Sequence, residues 1–126
     1  RLAAKPDRCV LGAWLTSDLV GIVGLQRERI RKLSHKAYIW GMYVAPAARR
    51  RGMGGRLLAH ALTRAASMPG VRQINLGVNA ANAEAVALYE AVGFTAFGVE
   101  RGFMLLDGRL HDEIHMVRTV ETAATK

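Results

Sequence analysis

The stretch MYVAPAARRRGMGGRLLAHAL, from Met42 to Leu62, decides the fold of this chain. Apolar residues up to Val44 predict the end of a strand, and Pro46 predicts a turn. An Arg-Gly run follows and leads into apolar residues at helical spacing. In this order the free backbone N–H groups and the positive end of the helix dipole point at a common ligand. Because glycine lets a phosphate approach the main chain, the stretch predicts a phosphate-binding loop.

The spacing of the glycines excludes two common nucleotide-binding loops. A P-loop needs four residues between its glycines and then Lys-Ser/Thr, which this chain lacks. The dinucleotide fingerprint fits Gly52 and Gly54, but Leu57 stands at its third position and no strand-borne acidic residue follows. What matches is Arg49-x-x-Gly52-x-Gly54, which resembles the acetyl-coenzyme A signature of the GNAT superfamily of N-acetyltransferases. Since Arg-Gly runs also occur in nucleic-acid-binding segments, this motif alone does not decide between the two.

A second motif, NAEAVALYEAVGF from Asn82 to Phe94, strengthens the resemblance. It is similar to the family's Asn-x-x-Ala-x-x-Leu-Tyr-x-x-x-Gly-Phe helix at Asn82, Ala85, Leu88, Tyr89, Gly93 and Phe94. The physical pattern agrees, because Asn82 is a good N-cap, Glu84 suits the first turn and Gly93 suits the C′ position. A short helix with Ala85, Leu88 and Val92 packed on a sheet is therefore predicted.

The resemblance covers Arg8 to about Arg118 and implies an α/β (α+β) fold, with a mixed, mostly antiparallel central sheet flanked by helices. We expect one domain over residues 1–126, with a frayed tail at 119–126. The family's first strand and first two helices have no counterpart. We therefore expect an N-terminally truncated form, either a fragment or a naturally short protein, in which the acceptor site is in doubt. An uncovered sheet edge would favour a homodimer.

Hydrophobic periodicity predicts the individual elements. Turn residues Thr16-Ser17-Asp18 favour a hairpin, and Asp107-Gly108 favours a type I′ hairpin. Gly41, within an apolar segment expected to be buried on both faces, indicates a bulge or a ligand close to the backbone. The predicted strands are 8–16, 19–26, 37–44, 72–78 (with one face less buried), 94–106 and 109–117, and a helix runs from Gly54 or Gly55 to Ser67 with His60 on its polar side.

Composition favours a soluble, cytoplasmic protein. Hydrophobic residues make up 51% and charged residues 22%, no apolar run approaches a membrane span, and RLAAKPDR is not a signal peptide. The single cysteine, Cys9, excludes an internal disulfide and is expected to be a small buried hydrophobe.

The chain is strongly basic, with a formal charge of +8 and a pI of about 10.6. Phosphates of coenzyme A would account for part of this excess. A second basic cluster is either a solvated loop, which we favour, or a surface for an acidic substrate or partner; it comprises Arg27, Arg29, Arg31, Lys32, His35 and Lys36. Aromatic residues are 6% and none interleaves with these charges, which argues against nucleic acid as a partner.

The resemblance implies specific residues for acetyl-coenzyme A. The coenzyme would contact Met42, Tyr43, Val44, Arg49, Arg50, Arg51, Gly52, Met53, Gly54, Gly55, Arg56, Asn82 and Tyr89. A backbone N–H near Met42 to Val44 would face the thioester oxygen. Asn82 would touch the pantetheine arm or order the loop around it, and it also serves as the helix cap. Tyr89 matches the family's general acid, although a buried helix face could also use it as a core residue.

The general base has no obvious candidate. Relatives that acetylate protein N-termini often carry a glutamate five positions before Asn82, where this chain has Gly77, and no carboxylate replaces it between Arg72 and Asn79. The proton could leave through water, or the base could lie in the missing N-terminal part. This favours a small-molecule amine over a ribosomal-protein N-terminus. His111, Glu113 and His115 share one strand face, but a last strand commonly has one polar face, and we predict no metal site.

The leading hypothesis is therefore an enzyme, an N-acetyltransferase. By resemblance it would move an acetyl group from acetyl-coenzyme A directly to a primary amine of a small molecule or protein within a ternary complex. Two alternatives remain at this point. One is a non-catalytic acyl-coenzyme A-binding or regulatory module, and the other is a basic nucleic-acid-binding protein.

Overall fold

The computed structural model describes residues 8–120. Its strands are β1 (Arg8–Leu15), β2 (Asp18–Arg27), β3 (Lys36–Val44), β4 (Gln73–Asn79), β5 (Thr95–Leu106) and β6 (Arg109–Thr119), and its helices are α1 (Met53–Ala66) and α2 (Ala83–Ala91). Short 3₁₀ turns occupy Arg31–Leu33 and Pro46–Ala48. The strands form a six-stranded sheet in the order β1-β2-β3-β4-β6-β5. The pairs β1/β2, β2/β3 and β5/β6 are antiparallel, which confirms the predicted fold class.

The described chain comprises two compact units, and it passes from one to the other within β4. The first contains residues 8–74 together with Val120, and the second contains residues 75–119. The expectation of a single domain stays a prediction. Part of the predicted frayed tail, 121–126, lies outside the described residues. Thr119 instead ends β6, and the Val120 N–H donates to the Arg72 carbonyl at 2.8 Å.

In the first unit, α1 packs on the β1-β2-β3 meander. The predicted hairpin turns at Thr16, whose φ is 58°. Buried side chains come from the inner faces of both layers: Val23, Leu25, Ile39, Leu57, Leu58, Ala61 and Ala65. Burying a large aliphatic side chain contributes about 1.5–3 kcal/mol, so this layer contact holds α1 on the sheet.

The prediction that β3 is buried on both faces was wrong. Ala37 and Ile39 are buried, whereas Tyr38, Trp40 and Tyr43 are 37%, 38% and 51% exposed. An apolar run cannot by itself distinguish a doubly buried strand from one whose outer face carries large aromatic residues.

The predicted irregularity at Gly41 is confirmed as a bulge. Ile22 pairs with Tyr43 and Gly24 pairs with Trp40, so β3 carries one more residue than β2 across this interval. Gly41 has a φ of 64°, in the left-handed region that glycine adopts without strain. The bulge re-aims the strand just before it enters the Arg-Gly loop.

The second unit contains α2 and the β5-β6 hairpin. Phe94, Leu76, Val78 and Met116 are buried. Asp107 and Gly108 have φ values of 50° and 75°, as the predicted type I′ turn requires. The interpretation of β4 as a strand with one face less buried needs a correction at Asn75, which is 4% exposed and has partners that satisfy its polar side chain.

Cys9 is a buried free cysteine on β1, as predicted. None of the helices in the described range is long and apolar enough to cross a membrane.

Candidate active site

Arg49 anchors the loop between β3 and α1 to the strand that precedes it. Its Nε donates a hydrogen bond to the Val44 carbonyl at 2.8 Å, and its guanidinium lies 5.7 Å from the centroid of the Tyr43 ring. Both contacts reach back across the Pro46–Ala48 turn. Arg49 therefore shapes the loop, in addition to any contact it makes with a ligand.

The same loop enters α1 through two left-handed residues. Arg50 has a φ of 65° and Gly52 a φ of 78°. A left-handed conformation costs a non-glycine residue roughly 1–2 kcal/mol. Strained backbone conformations of this kind are common at ligand-binding sites, where the surrounding structure maintains them.

The beginning of α1 is open to an anion. No side chain caps the helix at Gly52, and no acidic residue lies in the first turn. The first intrahelical bond shown at this end runs from the Arg56 N–H to the Gly52 carbonyl at 3.1 Å. The preceding N–H groups are thus left without the carbonyl partners that later residues have, and the helix dipole is not compensated by a carboxylate.

Gly52 and Gly55 lie beside open space. A Cβ atom added at Gly52 or Gly55 would meet nothing within 4 Å, so packing inside the protein does not demand glycine there. Arg49, Arg50, Arg51 and Arg56, which precede the helix or lie in its first turn, are all exposed. Open backbone donors with several arginines fit the phosphates of coenzyme A.

Tyr89 is the most deeply buried side chain of α2. Its residue is 6% exposed, and its ring meets Phe94 edge-on, with centroids 5.9 Å apart. The hydroxyl has no hydrogen-bond partner in the described range, yet no buried side-chain oxygen there lacks a partner. The hydroxyl must therefore reach the surface. Burial raises the pKa of Tyr89 above its ordinary value of 10.0, which keeps the proton on the oxygen at neutral pH.

Two asparagines fix the connection from β4 to α2. Asn82 caps the helix as predicted, since its Oδ1 accepts from the Ala85 N–H at 3.1 Å. Asn79, which the sequence did not single out, accepts from the Ala81 N–H at 2.9 Å. Its Nδ2 also lies 3.2 Å from Nδ1 of His111 on β6. Local hydrogen bonds from side chain to backbone stabilise this turn, so Asn82 has a structural role as the helix cap.

A polar face follows β6 in the second unit. His115 Nε2 lies 3.1 Å from Glu100 Oε1. Glu113 lies opposite Glu100 in the strand register, and its side chain extends over Gly77. Desolvation by burial raises the pKa of Glu113, His115 lowers it and Glu100 raises it further, for a net upward shift.

The three side chains that could have served as metal ligands have other neighbours. His111 meets Asn79, Glu113 meets Gly77 and His115 meets Glu100. Among the residues that the structure describes, no group of three His, Cys, Asp or Glu side chains could hold a metal ion.

The fold and the site define an α/β protein with a bulged strand, an arginine- and glycine-rich loop before an uncapped helix, and a second helix that carries a tyrosine. The model of the Acetyltransferase (GNAT) family matches residues 1–94, so the chain belongs to this family. It is 35% identical to the N-alpha-acetyltransferase RimI of Mycobacterium tuberculosis over 86% of this chain and 65% of that protein. It is 28% identical to the L-amino acid N-acetyltransferase AaaT of Escherichia coli over 94% and 72% of the two chains.

Solved structures share the fold. The protein yncA of Salmonella typhimurium, solved with its cofactor acetyl-CoA, aligns with a TM-score of 0.84 at 20% identity. This alignment covers 96% of the present chain and 69% of that one. The chain spans between 26% and 72% of the length of the first curated relatives that it matches.

The structure distributes the predicted site residues over the two units. The first unit holds the predicted coenzyme residues from Met42 to Arg56, and the second holds Asn82 and Tyr89. Sequence reasoning missed the relation between Glu113 and Gly77. These residues are distant in sequence and meet only because β4 and β6 are neighbouring strands.

Proposed function

We propose that this chain is an N-acetyltransferase that moves an acetyl group from acetyl-coenzyme A to a primary amine. The observation that carries the proposal is the uncapped, glycine-lined beginning of α1 beside four exposed arginines. Membership of the GNAT family and relatives named as N-acetyltransferases support it.

The loop residues would bind the acetyl donor. Backbone N–H groups from Gly52 to Arg56 suit the pyrophosphate, and the arginines suit the remaining phosphate charge. After the bulge at Gly41, a backbone N–H of Met42, Tyr43 or Val44 would stabilise the thioester oxygen as negative charge develops on it. Asn82 would order the pantetheine arm. Coenzyme A supplies an activated acyl group and a thiolate leaving group.

Tyr89 would act as the general acid. As the bond between the acetyl carbon and sulfur breaks, the thiolate needs a proton, and the Tyr89 hydroxyl can donate one. None of the described residues forms a hydrogen bond with this hydroxyl, which leaves its proton available. The amine attacks directly, so no acyl-enzyme intermediate is required.

For the acceptor we infer a primary amine, with a small molecule favoured over a protein N-terminus. One relative is named for L-amino acids and another for N-alpha-acetylation, so their names span both classes. The position at which relatives specific for protein N-termini often carry glutamate is Gly77 here. We further propose a cytoplasmic location and a homodimer, with no nucleic-acid partner.

Calorimetric titration with acetyl-coenzyme A tests the binding site. Arg51→Glu and Gly54→Asp each place a carboxylate in the loop, and both should abolish the micromolar binding expected of the unaltered chain. Arg29→Glu makes the same charge change at an exposed position outside the loop and should retain binding. Binding that survives both loop variants would refute this site.

An amine panel with thiol release as the readout tests the reaction. Acetylation of at least one amine is expected. Tight coenzyme binding without transfer to any amine would instead favour the non-catalytic acyl-coenzyme A-binding module.

A further inference from the structure

Gly77 on β4 lies directly against the side chain of Glu113 on β6. A Cβ atom at this position would collide with Oε2 of Glu113 and would lie 3.1 Å from both Cγ and Cδ of that side chain. The carboxylate therefore fills the space that a side chain on Gly77 would enter. Gly77 itself is exposed, so this place is open to a ligand.

We propose that Glu113 is the general base of the acetyl transfer, supplying from β6 a carboxylate that β4 lacks at Gly77. This inference rests on the proposed function, because it assigns a role within that reaction. The reaction requires a group that accepts a proton from the amine, and Glu113 would be that group. An amine arrives mainly as an ammonium ion at neutral pH and must lose a proton before its nitrogen can attack.

The Glu113 carboxylate is available for this role. No described residue donates a hydrogen bond to it. The nearby carboxylates are engaged, since Glu100 lies 3.1 Å from His115 and Asp112 Oδ1 accepts the Gly102 N–H at 3.0 Å. Glu113 is thus half-buried and accepts no hydrogen bond from a described residue, whereas Glu100 and Asp112 each have a partner.

The surroundings of Glu113 also strengthen its carboxylate as a proton acceptor. Glu100 faces it from β5, while His111 and His115 lie two positions away on β6. Asn79, two positions from Gly77 on β4, is uncharged and bonded to His111. Burial and Glu100 raise the pKa of the carboxyl against the opposing effect of His115. A higher pKa makes the carboxylate a stronger proton acceptor.

The proton balance closes without any further reactant. Glu113 takes one proton from the ammonium group and passes it to solvent. The neutral nitrogen then forms a bond to the acetyl carbon as the carbon–sulfur bond breaks, and the thiolate takes the Tyr89 proton. The second nitrogen proton returns through water to the Tyr89 oxygen. The products are the amide, the free thiol and one released proton.

Kinetics of the full chain with the best amine of the panel test this assignment. We expect Glu113→Gln to lower kcat by about 10²-fold or more, within the range typical of general-base loss. Acetyl-coenzyme A affinity should change less than twofold. The rising limb of the pH–rate profile should move to higher pH, because more of the amine must then be neutral in solution. Glu90→Gln removes an exposed carboxylate on α2 and serves as the matched control.

A relocation variant separates catalysis from structure. Glu113→Ala empties the space over Gly77, and Gly77→Glu then places a carboxylate on β4. The double variant should be at least tenfold faster than Glu113→Ala alone, with the pH profile moved back toward that of the unaltered chain. A merely structural role for Glu113 predicts no such rescue.

The outcomes distinguish the two proposals. An active chain whose Glu113→Gln variant keeps its rate and pH profile would overturn Glu113 as the base and leave the proposed function intact. Loss of rate with an unchanged pH profile and no rescue by the relocation would overturn it as well. If the unaltered chain acetylates no amine, both proposals fall together.

Discussion

At the residue scale, Tyr89 packs in the core of its unit and is also the proposed general acid, and a single substitution can separate the two roles. Its ring packs against Phe94 within the second unit, and its hydroxyl remains without a partner among the described residues. Tyr89→Phe keeps the ring and removes only the proton donor. We expect kcat to fall about 10²-fold, as is typical when a general acid is lost, with little change in coenzyme affinity or unfolding temperature. Turnover and calorimetry measure this, and an unchanged kcat would remove Tyr89 from the mechanism.

Glu113 should also make the free energy of unfolding depend on pH. Its folded pKa lies above the ordinary value of 4.5, so the folded state binds more protons than the unfolded state as pH rises through that interval. The free energy of unfolding should therefore fall as pH rises from about 4.5 through the folded pKa, because stability declines wherever the native state holds more protons.

Replacement by glutamine removes this titration. Glu113→Gln should flatten the dependence over that interval and leave the protein at least as stable at pH 7. Thermal melts of both chains between pH 4 and pH 8 measure it. A variant that is less stable than the unaltered chain throughout that range would contradict the raised pKa.

At the element scale, glycines in β2 and β5 provide a matched pair. The Trp40 indole of β3 lies directly over Gly24 of β2, where an added Cβ would overlap its ring atoms. Gly24→Ala should therefore destabilise the protein by about 1–3 kcal/mol, the usual cost of overpacking. Gly98→Ala in β5 is the control, because a Cβ there meets nothing within 4 Å. Urea unfolding compares them, and equal stabilities would show that Trp40 moves aside without cost.

The same scale shows why some features were predictable from the sequence and others were not. Asp107-Gly108 fixes a tight turn through local backbone preferences, and Gly41 marks a bulge for the same reason. The pairing of Glu113 with Glu100 depends on a register shift between Glu100 and Met104 of β5. Extending the register of the turn without that shift would place Gly102 opposite Glu113. No local signal fixes such a shift, since it follows from packing along the whole hairpin.

At the scale of the whole molecule, two motifs sufficed to predict the family and the fold class. Both are short segments, Arg49 to Gly54 and Asn82 to Phe94, in which local residue preferences favour a particular loop or helix cap. The candidate base Glu113 could not be predicted from the sequence, because it meets Gly77 through the pairing of two strands that are distant in the chain. No spacing within one segment indicates such a contact. The proposed base on β6 therefore leaves no trace in the sequence around Gly77.

The formal charge of +8 at neutral pH attracts a polyanion such as acetyl-coenzyme A from a distance. The Debye length falls from about 10 Å at 0.1 M salt to about 3 Å at 1 M, so the association rate should drop steeply over this range. Replacing Arg29, Arg31 and Lys32 by glutamine should weaken that salt dependence while leaving the dissociation rate unchanged, since these residues lie outside the loop. Arg50→Gln and Arg51→Gln should raise the dissociation rate as well. Stopped-flow binding measures both rates, and an association rate independent of salt would show that only contacts within the loop matter.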